Sequence, residues 1–188
     1  MSSRVVHRIL SFIFMGFYLP TSGVQPAMSQ QELCRDAGYV APSSDMRTVE
    51  LPKFGIDLNI PENYRTMVRK DGSVEIMDPS HFELVSCIAR GGKILDPHGS
   101  WGFSIHHVSN PENLKLQDLV TKIEPSQYIK LYKYNLDNTN AVIVHERGRA
   151  TAYFISPAIN KVVAMHVGCD CTVGLEDIVR ELNRTRLR

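Results

Sequence analysis

The chain has 188 residues and a near-even balance of 21 basic and 20 acidic side chains, with both signs interspersed. Such a balance lacks the basic surface that binding a phosphate backbone requires, so nucleic acid is excluded as an expected partner. The length and a 43% hydrophobic content suit one domain with a real core, not a small scaffold held only by crosslinks.

The N-terminal stretch MSSRVVHRILSFIFMGFYLP carries Arg4 and Arg8, then an apolar run from Ile9 to Leu19 that Pro20 ends, with no acidic residue before Glu32. This is the layout of a secretory signal peptide. The run is well short of the roughly 20 apolar residues a spanning helix needs, so membrane contact is expected only through an uncleaved signal segment. Ala27 and Ser29 flank Met28 in the spacing a signal peptidase prefers. Cleavage is therefore placed after Ser29, with Gly23 as the second choice. Losing residues 1–29 removes Arg4 and Arg8 and no acidic residue, which leaves a formal charge of −1. Residues 30–46 read as an N-terminal segment tied by Cys34, and residues 47–188 as a single α+β domain in an extracytoplasmic compartment.

Four cysteines, Cys34, Cys87, Cys169 and Cys171, lie in the mature chain. An even count in an oxidising compartment predicts disulfides. Of the three connectivities, joining Cys169 to Cys171 makes a small strained ring and is the least favoured. In the other two, the Cys-Asp-Cys pair reaches separately to Cys34 and to Cys87. A metal site of His166, Cys169 and Cys171 would need a fourth ligand and thiolates kept reduced outside the cytosol. The Cys-x-x-Cys redox spacing is absent. No metal and no cofactor is expected.

Along the mature chain, FGIDLNIP alternates Phe54, Ile56, Leu58 and Ile60 against smaller or polar residues, the period of a half-buried strand. YRTMVRKDGSVEIMDP places Asp71-Gly72 between two extended runs, which predicts a two-residue hairpin. HFELVSCIA fits neither the strand nor the helix period cleanly. WGFSIHHV reads as a strand with Trp101, Phe103, Ile105 and His107 on one side. Leu116, Leu119, Val120 and Ile123 mark one helical face that Pro125 closes. QYIKLYKYNL, AVIVHERG, RATAYFISP and KVVAMHV follow as four strands joined by polar turns. The last helix is predicted to start near Thr172 and to bury Leu175, Ile178, Val179 and Leu182. Arg180, Arg184, Arg186 and Arg188 toward its end suit the helix dipole without a ligand. Asn183 opens an NRT glycosylation sequon in that predicted helix.

Strand and hairpin, long strand, helix, meander and helix predict an α+β domain: a mainly antiparallel β-sheet with two main helices packed on it. FGIDLNIPENY, SWGFSIHHV, the helix LKLQDLVTKI, the strands ATAYFISP and NKVVAMHV and the closing GLEDIVRELN resemble, in that order, the PsbP-like fold group, named for an extrinsic subunit of photosystem II. The resemblance covers residues 54–182. NYRTMVRKDGSVEIMDPSHFELVSC also resembles exported proteins of cyanobacteria. What this implies is a PsbP-like α/β sandwich, a periplasmic, thylakoid-lumen or secreted setting, and a non-enzymatic accessory or binding role.

The residue inventory agrees, since GxSxG, HExxH, Walker and dinucleotide motifs are all absent. His106 and His107 form the most suggestive pair. Adjacent strand residues point to opposite faces, so they are not expected to line one site without a bulge. His145 and His166 read as packing or surface histidines, and Trp101 as core. Tyr128, Tyr132 and Tyr134 fall on one side of a strand and form the candidate interaction face. The expected function is an extracytoplasmic interaction or assembly module with an unidentified protein partner. The alternatives are a small-ligand carrier, or a small hydrolase whose His and carboxylate groups the fold brings together.

Overall fold

A computed structural model describes residues 33–35, 38, 40–94, 102–124, 130–146, 148–168 and 173–188. The proposed signal peptide, Trp101, Tyr128, Cys169, Cys171 and Thr172 lie outside the described residues. In chain order the elements are β1 Leu33–Cys34, β2 Met46–Leu51, β3 Ile56–Pro61, β4 Arg65–Val68, β5 Val74–Met77, α1 Pro79–Ala89, β6 Lys93–Ile94 and β7 Gly102–Val108. They continue with α2 Leu116–Ile123, β8 Lys130–Leu136, β9 Thr139–Glu146, β10 Arg149–Ser156, β11 Lys161–Gly168, α3 Leu175–Asn183 and β12 Thr185–Leu187. The domain is α+β, as the order of sequence patterns predicts.

The main sheet has seven antiparallel strands in the order β4-β5-β7-β11-β10-β9-β8. Alternation along its strands gives two distinct faces. One carries Phe103, Ile105, Val163, Met165, Ala152 and Phe154, and packs against a three-stranded sheet β12-β3-β2 and α3 through Ile56, Leu58, Ile60, Ile178 and Leu182. On the opposite face Val142, Val144, Tyr153 and Ala164 receive Val120 and Leu116 of α2. The β2–β3 turn holds the small sheet close to β10. Gly55 has φ +66 there, and a Cβ on it would lie 2.2 Å from Ser156 Oγ, so the approach requires glycine. At the other end of the chain Arg188 binds both Glu50 and Asp57 and ties the C-terminus to β2 and β3.

A third helix, α1, joins the two main helices where the sequence pattern is ambiguous. HFELVSCIA is helical because Asp78 caps it, accepting from the backbone N–H groups of Ser80 and His81 at 2.9 and 3.2 Å, and because Pro79 sits in its first turn. The Asp71-Gly72 hairpin turns through three residues rather than two. Arg69 N–H donates to Ser73 O at 2.9 Å around Lys70, Asp71 and Gly72, with Gly72 at φ +81. The last helix begins after Gly174, where Asp177 accepts the Gly174 N–H at 2.9 Å. It ends at Asn183, so Arg186 belongs to β12 and Arg188 follows that strand; neither lies in the helix end. Arg180 and Arg184 both bind the buried Glu181.

The disulfide expectation is corrected in its pairing. Cys34 joins Cys87, not either member of the Cys-Asp-Cys pair. Cys87 lies on α1, β1 pairs in parallel with β6 just beyond that helix, and the sulfurs sit in a small core with Leu84 and Ile94. Gly92 gives them room, since a Cβ there would be 2.3 Å from Cys34 Sγ. The bond spans 53 residues, for which loss of unfolded-state entropy gives a stabilisation of about 4 kcal/mol as an upper figure. Cys34→Ala/Cys87→Ala is expected to lose ~2–4 kcal/mol in denaturant unfolding. An unchanged midpoint would count against the bond as a stabilising element.

Candidate functional site

Strand register brings together side chains that are far apart in sequence. On the face that α2 covers, Glu75, Ser104, His166 and Thr151 stand side by side across β5, β7, β11 and β10. His106 lies one row along, opposite Ala164, and is therefore a diagonal neighbour of His166. Where α2 ends, Glu124 reaches β10. Its carboxylate accepts from the Tyr153 hydroxyl at 2.5 Å and from Arg149 at 3.1 Å, and Arg149 also binds Glu146. Thr151 Oγ1 and His166 Nδ1 are 2.9 Å apart.

The electrostatics follow from partial burial. Desolvation holds His166 below the ordinary histidine value, reinforced by Arg149 and His106 and opposed by Glu124 and Glu146. Desolvation likewise lowers His106, against the attraction of Asp71. The Tyr153 hydroxyl is pushed well up by burial and by the adjacent Glu124 carboxylate, so it stays a donor. The Tyr153–Glu124–Arg149 contacts clamp the end of α2 to the sheet. Thr151 is only 4% exposed, which keeps its hydroxyl from reaching a substrate despite the histidine beside it.

His106 and His107 do border one groove, contrary to the sequence expectation. β5 stops pairing with β7 at Val74 opposite Ile105, so the β7 edge beyond Ile105 is open. Both rings reach a groove of about 390 Å³ between that edge and the β4–β5 turn, with Lys53, Asp71 and Glu75 also on its walls. No strand bulge is required. His107 rests against the Phe54 ring at 4.8 Å between centroids, and burial is the first cause of its lowered pKa, followed by Lys161. His145 Nε2 is 2.9 Å from Val173 O, a packing contact as expected. No group of three or more His, Cys, Asp and Glu suited to a metal ion occurs among the described residues.

Tyr132 and Tyr134 are half-buried on β8 and lean on the main core, and the Tyr134 hydroxyl donates to Asn183 Oδ1 at 2.6 Å. The outer features of this end of the sheet are different residues. Leu131 is 44% exposed on β8 and Ile123 is 39% exposed at the end of α2, with exposed Lys130 and Lys133 beside them. A shallow cleft of about 250 Å³ lies between α2 and this edge, lined by Leu116, Gln117, Lys133, Asn140, Ala141 and Val142. Sequence reasoning missed Leu131 because it attended to the tyrosines, which alternate with it and lie on the other face of β8. The signal that could have found it is an apolar residue flanked by lysines on a strand without acidic residues.

No family model matches the chain, and no curated protein does. Among solved structures, the chain is similar to the solution structure of cyanobacterial PsbP (CyanoP) from Synechocystis sp. PCC 6803, at 10% identity and a TM-score of 0.45, covering 82% of this chain and 97% of that one. At 10% identity no residue role passes from one chain to the other.

The lowered histidines set a pH dependence. A histidine held neutral by folding leaves stability complete above the ordinary value of 6.5 and erodes it below, as the unfolded chain takes up protons that the folded chain refuses. The melting temperature is expected to fall as pH drops from 6.5 to about 5. His106→Gln/His166→Asn should flatten that fall in thermal scans across the window, and an equally steep decline in the double variant would assign it elsewhere.

Proposed function

We propose that the protein is an extracytoplasmic accessory module that works by binding another protein. The observation that carries this reading is the outer edge of the main sheet, where Leu131 is exposed between Lys130 and Lys133, whose side chains make no ion pair among the described residues. Isolated exposed leucines are ordinary, but this one lies on a terminal strand next to a cleft and a helix end. Tyr132 and Tyr134 lean on the core from the other face of β8 and add nothing to this surface. The Cys34–Cys87 disulfide supports an oxidising compartment, in line with the signal-peptide layout.

The other two function classes find less support. A carrier needs an apolar cavity between helix and sheet, yet Val120, Val142, Val144, Tyr153 and Ala164 fill that space. A hydrolase needs a reachable nucleophile beside its base, and Thr151, the hydroxyl that contacts a histidine, is buried.

The test is recovery of a stoichiometric partner from native extract by the mature protein, set against Leu131→Asp. Burying a leucine contributes roughly 1.5–3 kcal/mol, so the variant is expected to bind at least tenfold more weakly with an unchanged melting temperature. Failure to recover any partner, with a small molecule retained in native mass spectrometry, would move the assignment to a carrier.

A further inference from the structure

Strand β8 ends the seven-stranded sheet and, among the described residues, pairs on one side only, with β9. The β8–β9 turn is Asp137-Asn138, both with positive φ at 47° and 64°, and Leu136 and Thr139 flank it as a pair. In a two-residue hairpin the flanking pair exchanges both backbone hydrogen bonds, and bonded and non-bonded pairs alternate from there. The N–H and C=O groups of Lys130, Tyr132, Tyr134 and Leu136 therefore point at β9. Those of Leu131, Lys133 and Asn135 point away from the sheet, and the side chains of all three are exposed.

The edge strand of the small sheet, β2, is a different case. Its polar side chains are engaged within the chain: Arg47 donates to Tyr64 O at 2.9 Å, Thr48 to Asn59 at 2.8 Å, and Glu50 accepts from Arg188 at 2.6 Å. On β8, the side chains of Lys130 and Lys133 have no hydrogen bond or ion pair among the described residues, and the strand KLYKYNL holds no acidic residue and no proline. Edge lysines commonly prevent copies of a protein from pairing. That is their effect here, because an antiparallel pairing of two β8 strands about their centre sets Lys133 against Lys133, and directly opposed like charges destabilise. The same two lysines favour a strand that brings carboxylates opposite them.

We infer that the outer edge of β8 takes up an extended acidic segment of a partner protein by strand addition. Its main chain pairs with the outward groups of Leu131, Lys133 and Asn135, carboxylates face Lys130 and Lys133, and an apolar side chain covers Leu131. The inference rests on the binding-module reading above and adds the chemistry of the partner and the mode of contact.

The experiment is amide hydrogen exchange by NMR on the labelled mature protein, with and without a synthetic ten-residue peptide carrying Glu-Thr-Val-Glu at its centre, which in antiparallel pairing sets glutamates opposite Lys133 and Lys130 and valine opposite Leu131. In the free protein the amides of Leu131, Lys133 and Asn135 should exchange fast while those of Tyr132 and Tyr134 are protected. The acidic peptide should slow the first three at least tenfold, less so at high salt, and a peptide with lysine for glutamate should not. Lys133→Pro removes one outward donor without breaking a β8–β9 bond, and should abolish the effect with the rest of the amide pattern unchanged. Lys130→Glu/Lys133→Glu is a second check, expected to reverse the peptide preference.

Four results would overturn the inference: the three amides protected in dilute free protein, peptide binding without protecting them, protection that rises with protein concentration alone and so assigns the edge to a second copy, or binding to phosphatidylserine-containing vesicles in place of peptide. The pull-down separates this from the parent reading. A stoichiometric partner recovered equally by wild type and Lys133→Pro keeps the module and removes strand addition, whereas no partner for either removes the module whatever the peptide does.

Discussion

Residues Ala150–Phe154 of β10 and Val162–Met165 of β11 are shielded from water on both sides of the main sheet, so the chain has to cover two faces of one sheet at once. A strand pair with one wet face would read as polar on alternate positions; here both alternations are apolar over most of their length. The covering elements divide accordingly. β2, β3, β12 and α3 bury one face, and the short α2 buries part of the other. Gly55 and the Arg188 contacts to Glu50 and Asp57 hold the first cover in place, and the contacts of Glu124 with Tyr153 and Arg149 hold the second.

The polar cluster follows from the shortness of α2. The helix has eight residues, about 12 Å, and cannot reach across seven strands about 4.8 Å apart. Beyond its reach the sheet face carries Ser104, His106, Thr151 and His166 in place of aliphatic side chains. Those groups bond to each other or border the groove at the open end of β7, which is why the histidines are lowered without being fully buried. At the far end of the same sheet, β8 has no outer neighbour among the described residues. One sheet thus presents a polar area whose groups bond to each other and, among the described residues, an unpaired backbone edge at β8.

Some of this was legible in the amino-acid order. Alternation in FGIDLNIP and KVVAMHV, the Asp-Gly turn and the apolar stripe Leu116, Leu119, Val120 and Ile123 each follow from interactions within a few residues. HFELVSCIA was ambiguous because its apolar residues make no clean stripe, although the Asp78-Pro79 start held the cap and first-turn chemistry that decides for a helix. Three-residue β12 and two-residue β1 and β6 leave no period to detect.

Strand type, turn position, the α+β class and the even cysteine count are local or compositional properties, and the chain carries them without reference to its own folding. Pairing is not local. The choice of Cys87 as the partner of Cys34 depends on α1 and the β1–β6 pair meeting in space. The neighbourhood of His106 and His166, 60 positions apart, depends on the register of β7 against β11. The open edge of β8 depends on its being last in the sheet. Each of these is set by which distant segments exclude water together, and residue order expresses that only through the folded chain.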